Sequence, residues 1–246
     1  MKLTFLGTRG TSVAGSRRHQ RHASLIVQYR GQGVMIDCGT DLEEEVESLR
    51  PCAIVLTHGD PNHAGGLQRG VPCPVLAPIA TLQDLSDYGI RRRKAIRLRK
   101  PVDIHGMVFE AFPVDASRRA PTVGYRISAG MTRIFYAPNV ACIHYRHDAL
   151  RGVNLYIGGG ANLEQTFVRR GPDPDMGRAS VSTQLTWCRQ AGIRRAIITH
   201  CGRAIIESDP RHISMKIKAQ GRNRDIDVRL AYDGLEIILH PRRVYA

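Results

Sequence analysis

Acidic side chains are the scarce class in this 246-residue chain: 22 Asp and Glu stand against 36 Lys and Arg, for a formal charge of +14. That imbalance disfavours cationic partners and favours anionic ones such as phosphodiesters, nucleotides or nucleic acid. A basic surface with no specific partner is the plain alternative. Aromatic residues make up only 6%. The six cysteines include no Cys-x-x-Cys pair, and in a chain of this size they read as reduced thiols rather than a disulfide framework. No apolar run is long enough for a transmembrane helix, so no membrane partner is expected. The first residues lack the apolar stretch and cleavage site of a signal peptide, so a cytoplasmic location is expected. No internal repeat, long linker or shift in composition divides the chain, and one domain over 1–246 is expected. Gly158–Gly160 lacks a following Lys-Ser/Thr, so it is weak as a Walker phosphate loop and reads as a close strand-to-loop turn.

What is present is concentrated between Ala53 and Leu67. Ala53 to Leu56 reads as a buried strand; it ends in Thr57 and delivers His58, Asp60, Asn62 and His63 within six residues. Gly65 and Gly66 then suit a tight turn. A loop leaving a strand edge can bring several N and O donors to one point, as a metal site needs. A second strand, over 194–200, ends in the same Thr-His step at Thr199 and His200. Two such strand ends suggest one shared site at a sheet edge.

Taken with the Gly-rich turn at 2–12, the strands at 22–27 and 33–39, and the segments 112–117, 124–127 and 134–139, this pattern resembles the metallo-β-lactamase superfamily, most closely its ribonuclease Z and cyclic-phosphodiesterase branch. The resemblance implies an α/β fold, the αββα four-layer metallo-β-lactamase-like sandwich, with Asp37 as the family's buried aspartate. It implies metal ligands at His58, Asp60, His63, Asp115, Asn139 and His200. The first metal motif of the family, His-x-His-x-Asp-His, reads here His58, Asp60, Asn62, His63. The third-motif histidine falls on Asp115, the bridging aspartate on Asn139, and a histidine that protonates the leaving group on Arg178. Carried over, one metal would see His58, Asp60 and Asp115, and the other Asn62, His63, Asn139 and His200. The second set carries no negative charge. The resemblance therefore implies one divalent ion (Zn, Mn or Fe) in preference to two, on His58, Asp60 and Asp115 with His200 as a shared ligand, or none, with the same residues forming a polar cluster.

Asp60, Asn62 and Arg178 are the candidate catalytic residues, and Arg178, His22 and Arg18 the candidate substrate-binding ones. Guanidinium stays charged, so Arg178 can hold a phosphate but cannot deliver a proton. Two functions remain open. One is a metal-dependent hydrolase of a phosphodiester or similar anionic ester; the other is a non-catalytic protein that binds nucleotide or nucleic acid through Arg-rich surfaces. The partner is then an anionic small molecule or a nucleic acid, with a homodimer left open. Two basic runs carry this expectation, 17–22 and 91–100. In the second, Ile96 and Leu98 alternate with Arg97 and Arg99 as in a half-exposed strand. Tyr88 is the only aromatic near it in sequence, which offers no base-stacking platform. A solvated edge that discourages strand pairing is the alternative.

Strands are expected over 3–7, 24–29, 34–37, 54–57, 75–77, 108–114, 123–127, 134–137, 155–157, 196–199, 226–231 and 235–239. Helices are expected over 42–49, 64–69, 82–88, 162–169, 182–191 and 210–219, with Asp41 and Glu44 as a capping box for the first and Gly192 ending the fifth. The stretch 170–177 is turn-rich and expected as a surface loop. His19, His105, His144, His147, His212 and His240 show no ligand-like spacing.

Overall fold

The computed structural model describes residues 1–11, 15–116, 121–164 and 177–240. The first half of the chain lays down β1 (Lys2–Gly7), β2 (Ser24–Tyr29), β3 (Gln32–Ile36), α1 (Val46–Leu49), β4 (Ala53–Val55), α2 (Pro61–Ala64), β5 (Val75–Ala77), α3 (Ile79–Asp84) and β6 (Arg93–Ala95). The second half adds β7 (Val102–Ile104), β8 (Met107–Asp115), β9 (Thr122–Ala129), β10 (Thr132–Ala137), β11 (Cys142–Ile143), α4 (Arg146–Leu150), β12 (Leu155–Gly159), α5 (Val181–Gln190), β13 (Arg195–Thr199), α6 (Arg203–Ile206), α7 (Pro210–Arg222), β14 (Asp227–Leu230) and β15 (Leu235–Ile238). Two sheets result, ordered β15-β1-β2-β3-β4-β5-β6 and β11-β8-β9-β10-β12-β13-β14, with β7 paired to β8.

Alternation along the strands builds the layers, because successive side chains leave a strand on opposite faces. Leu25 and Val27 of β2 join the central core, while Ile26 joins a second cluster under α1 to α3. Across from them, Ile134 and Tyr136 of β10 face the central core, and Phe135 and Ala137 face a third cluster with Leu185, Trp187 and Ile217 of α5 and α7. Helices therefore cover the outer face of each sheet, and the chain is an αββα sandwich. Among the described residues no helix is long and apolar enough to cross a membrane.

Strand direction positions the site. β3 to β6 run parallel, and β8, β10, β12 and β13 share one direction in the other sheet. The C-terminal ends of the second set, at Asp115, Ala137, Gly159 and Thr199, thus lie along one edge. The sheets join there: Val123 donates its amide to the Thr57 carbonyl at 3.0 Å, and Tyr125 Oη donates to the Leu56 carbonyl at 2.8 Å.

Several helices differ from expectation. The segment 42–49 splits into a 3-10 turn, Thr40–Leu42, and the single-turn α1. Asp41 does not cap it, because its carboxylate accepts from Arg9 and from the His22 amide. The neighbouring Glu43 and Glu45 pair outward with Arg69 and Arg21. α2 starts at Pro61, earlier than expected, since proline's missing N–H suits a first turn. α3 likewise begins earlier than expected, just after Pro78. Residues 162–164 are not helical, and the rest of the 162–169 expectation, like nearly all of the 170–177 loop, lies outside the described residues. The strand expected around Ile96 and Leu98 ends at Ala95: Ile96 is buried and Leu98 is 47% exposed, so the two do not share a buried face.

Candidate functional site

Asp37 organises the centre. It follows β3 in a left-handed conformation, φ 60, with no exposed surface. Its Oδ1 accepts the Thr57 amide at 2.7 Å, and its Oδ2 accepts the Thr57 hydroxyl at 2.8 Å and pairs with His63 Nδ1 at 2.8 Å. A buried carboxylate needs such donors. They also fix protons. With Nδ1–H of His63 committed to Asp37, Nε2 carries a lone pair. Thr57 Oγ1 has given its proton to Asp37, so it accepts from His58 Nδ1 at 3.2 Å, and His58 Nε2 is also left with a lone pair.

His200 reaches this centre from the other sheet. Its backbone, at φ 49, is tied to the Gly-rich first turn: Cys201 donates to the Thr8 carbonyl at 2.7 Å and accepts from the Gly10 amide at 2.8 Å. His200 Nε2 lies 3.1 Å from His63 Nε2, and the His58 and His63 rings are 4.0 Å apart. Burial, then the neighbouring His63 and Arg178, hold His200 well below the ordinary imidazole range; burial and His63 lower His58. Both are therefore neutral near pH 7, the form that donates a lone pair to a cation. Three buried polar atoms at these residues lack a hydrogen-bond partner: His58 Nε2, Asn139 Oδ1 and His200 Nδ1. His58 Nε2 has Asp60 Oδ2 at the long distance of 3.5 Å.

The remaining expected residues divide. Asn139 follows β10 at that sheet edge and is 4% exposed; Asn62 sits in α2 with a buried, partnerless Nδ2. Arg178 donates to Thr11 Oγ1 at 3.0 Å, and its charge is felt at His200. His22 pairs with Asp41, which also receives Arg9. Asp115 is held by His144 Nε2 at 2.7 Å. Sequence spacing did not single out His144, because the contact follows from the β8–β11 register, Cys142 opposite Asp115. Arg18 lies elsewhere: it covers the Tyr232 ring at 4.7 Å and lines a cavity of about 250 Å³ with Arg17, His19, Ile205 and Ser214.

His63 and His200 present the spacing that two imidazoles on one ion require. Imidazole nitrogens sit about 2.0–2.1 Å from zinc, so two on one ion lie roughly 3 Å apart. The 3.1 Å between the Nε2 atoms of His63 and His200 meets that span, and Asn139, whose buried oxygen has no hydrogen-bond partner, follows β10 at the same sheet edge. Among the described residues no three His, Cys, Asp or Glu side chains group as a metal site, so the pair stands without a third ligand of those types. Asp115, expected as a ligand with His58 and Asp60, is hydrogen-bonded to His144.

A family model for the beta-lactamase superfamily domain matches residues 32–201. Solved structures share the fold. The metallo-beta-lactamase fold protein YhfI from Bacillus subtilis has TM-score 0.72 and 12% identity over 96% of this chain and 98% of its own. A diphosphatase from the PhnP family has TM-score 0.68 and 22% identity, with 98% of each chain covered. The short form of human tRNase Z has TM-score 0.67 and 17% identity over 98% of this chain and 100% of its own. At these identities the likeness establishes fold alone. No curated protein sequence matches the chain.

Proposed function

The chain belongs to the metallo-β-lactamase superfamily, and from that premise we propose that it is a metal-dependent hydrolase of a phosphodiester or similar anionic ester, working with a single divalent ion. The observation that carries this reading is the facing pair of Nε2 atoms on His63 and His200, with the His63 lone pair set by Asp37. His63, His200 and Asn139 would hold the ion. When bound, it supplies polarisation of a phosphoryl or carbonyl oxygen and a more acidic water.

The protein's own groups do the rest. Arg178 binds the anionic group and stabilises charge that builds on its oxygens, without giving up a proton. Asp60 Oδ2, beside His58 Nε2, accepts the proton of an attacking water. Since guanidinium stands where a proton donor would, esters with good leaving groups react fastest. The net charge of +14 draws anionic substrates in. Six free thiols suit a cytoplasmic setting.

The test is hydrolysis of bis(p-nitrophenyl) phosphate with Mn²⁺, Zn²⁺ and Fe²⁺, alongside elemental analysis. Turnover with close to one ion per chain supports the reading; no turnover with any of the three overturns it. Asn62 and Asn139, neutral where the family pattern has carboxylates, favour a second reading as a non-catalytic nucleotide or nucleic-acid binder. That reading requires salt-dependent binding without turnover.

A further inference from the structure

Arg99 and Tyr145 form a contact that neither the core nor the imidazole cluster uses. The Arg99 guanidinium lies 4.1 Å from the centroid of the Tyr145 ring, and its Nη2 donates to Asp148 at 3.1 Å. Tyr145 is 57% exposed. Both residues take left-handed backbone conformations, φ 58 and φ 53, which side-chain-bearing residues rarely adopt. Backbone bonds hold them there: Arg99 donates to the Ala111 carbonyl at 2.8 Å, and the Tyr145 carbonyl accepts from Ala149 at 2.9 Å. The result is an aromatic ring backed by a cation and presented to solvent.

Its place matters. Tyr145 directly follows His144, which bonds Asp115 at the end of β8, the sheet edge that also carries Asn139 and His200. On its other side runs 91–100. Arg93 is consumed by the carbonyls of Leu82, Ser86, Tyr88 and Ile90. Arg91, Arg92, Lys94, Arg97 and Lys100 are exposed and make no ion pair among the described residues. β6 forms the open end of its sheet. A run of unpaired cations leads to an exposed ring at the rim of the site.

We propose that the Arg99–Tyr145 stack and the cations of 91–100 form a docking surface for single-stranded nucleic acid, one base lying on Tyr145 and the phosphates following Arg91, Arg92, Lys94, Arg97 and Lys100. Every base has a π-face, so this recognition is sequence-tolerant, while a duplex keeps its base faces stacked and cannot use the ring. An acidic polypeptide would satisfy the cations but has no use for the ring. The inference adds a kind of partner to the hydrolase reading, and its test needs no turnover.

The test is fluorescence anisotropy of the full chain with a labelled oligouridylate and with the matching duplex, across a salt series. Single strand binds more tightly than duplex, and its affinity falls as salt rises. Tyr145→Ala weakens strand binding about tenfold with the salt slope kept; Tyr145→Phe restores it. The double variant Arg97→Ala with Lys100→Ala flattens the slope by about 1.4. Thermal melts of each variant establish that it is folded. The proposal is overturned if Tyr145→Ala binds like the parent, if duplex binds as tightly as strand, if polyglutamate displaces RNA equally from both proteins, or if no strand binds at low salt. Turnover of the small activated diester is read separately, so either idea can fail while the other stands.

Discussion

His63 and His200 come from different sheets and meet nitrogen to nitrogen, Nε2 to Nε2 at 3.1 Å. With His63 Nδ1–H committed to Asp37, only His200 can donate across that contact. A cation replacing the shared proton would meet two lone pairs already turned toward each other. Removing either ring, by His63→Ala or His200→Ala, drops bound metal from about one ion per chain to none by elemental analysis. Asp115→Asn leaves the stoichiometry unchanged, because His144 and not the ion holds that carboxylate. Metal loss in Asp115→Asn would instead restore the ligand set His58, Asp60 and Asp115.

Asp37→Ala strands the Thr57 amide, the Thr57 hydroxyl and His63 Nδ1 in a fully buried place. A cost of about 3–5 kcal/mol follows, from loss of one partner of a buried charged network. Urea unfolding measures it. Asp37→Asn keeps the size and costs less, but frees the His63 tautomer, so metal affinity falls more than stability does.

Acid sensitivity has a source away from the site. Thr8 Oγ1 donates to Asp233 at 2.6 Å and so accepts from His19 Nδ1 at 2.7 Å. Burial, and to a lesser degree Arg18, hold His19 below its ordinary value of 6.5, against the pull of Asp233. The unfolded chain takes up this proton below pH 6.5 while the folded chain resists it. Stability is therefore fully present above pH 6.5 and is lost as pH falls through the window beneath it. His58, His200 and His22 act in the same direction. Urea midpoints at neutral and mildly acidic pH will show a smaller difference for His19→Asn than for the parent; an unchanged difference removes His19 from the account.

Close packing positions His63. A Cβ on Gly66 would lie 2.6 Å from Cys38 Sγ and 2.7 Å from the Gly39 carbonyl oxygen. The obstruction includes backbone, so Gly66→Ala pushes α2 off the β3 turn. It costs about 1–3 kcal/mol and weakens metal binding with no ligand altered. Calorimetry and metal titration of that variant check both effects.

Long alternating strands such as β2 and β10 were legible in the sequence because each alternation must match two different cores. The convergence of His58, His63 and His200 was legible through the repeated Thr-His step. Short edge elements were not: β7 and β11 are too brief for a period to register. Pairings between distant segments were equally hidden. His144 meets Asp115 through strand register, and Tyr145 meets Arg99 through two unusual backbone turns. Near the 91–100 run the sequence offered only Tyr88; the ring beside it in space belongs to another part of the chain. The capping role expected of Asp41 failed because Arg9 and His22 outcompete a local helix for its carboxylate.

Asp37 and His200 both stand in the left-handed region, where glycine is most at ease. At these two positions the main chain and the chemistry want different residues, and the chemistry has prevailed. At His200 the strain of the main chain is offset by the packing of a fully buried ring, which a glycine there would forfeit. A more relaxed backbone at that position would therefore come at the expense of a filled interior.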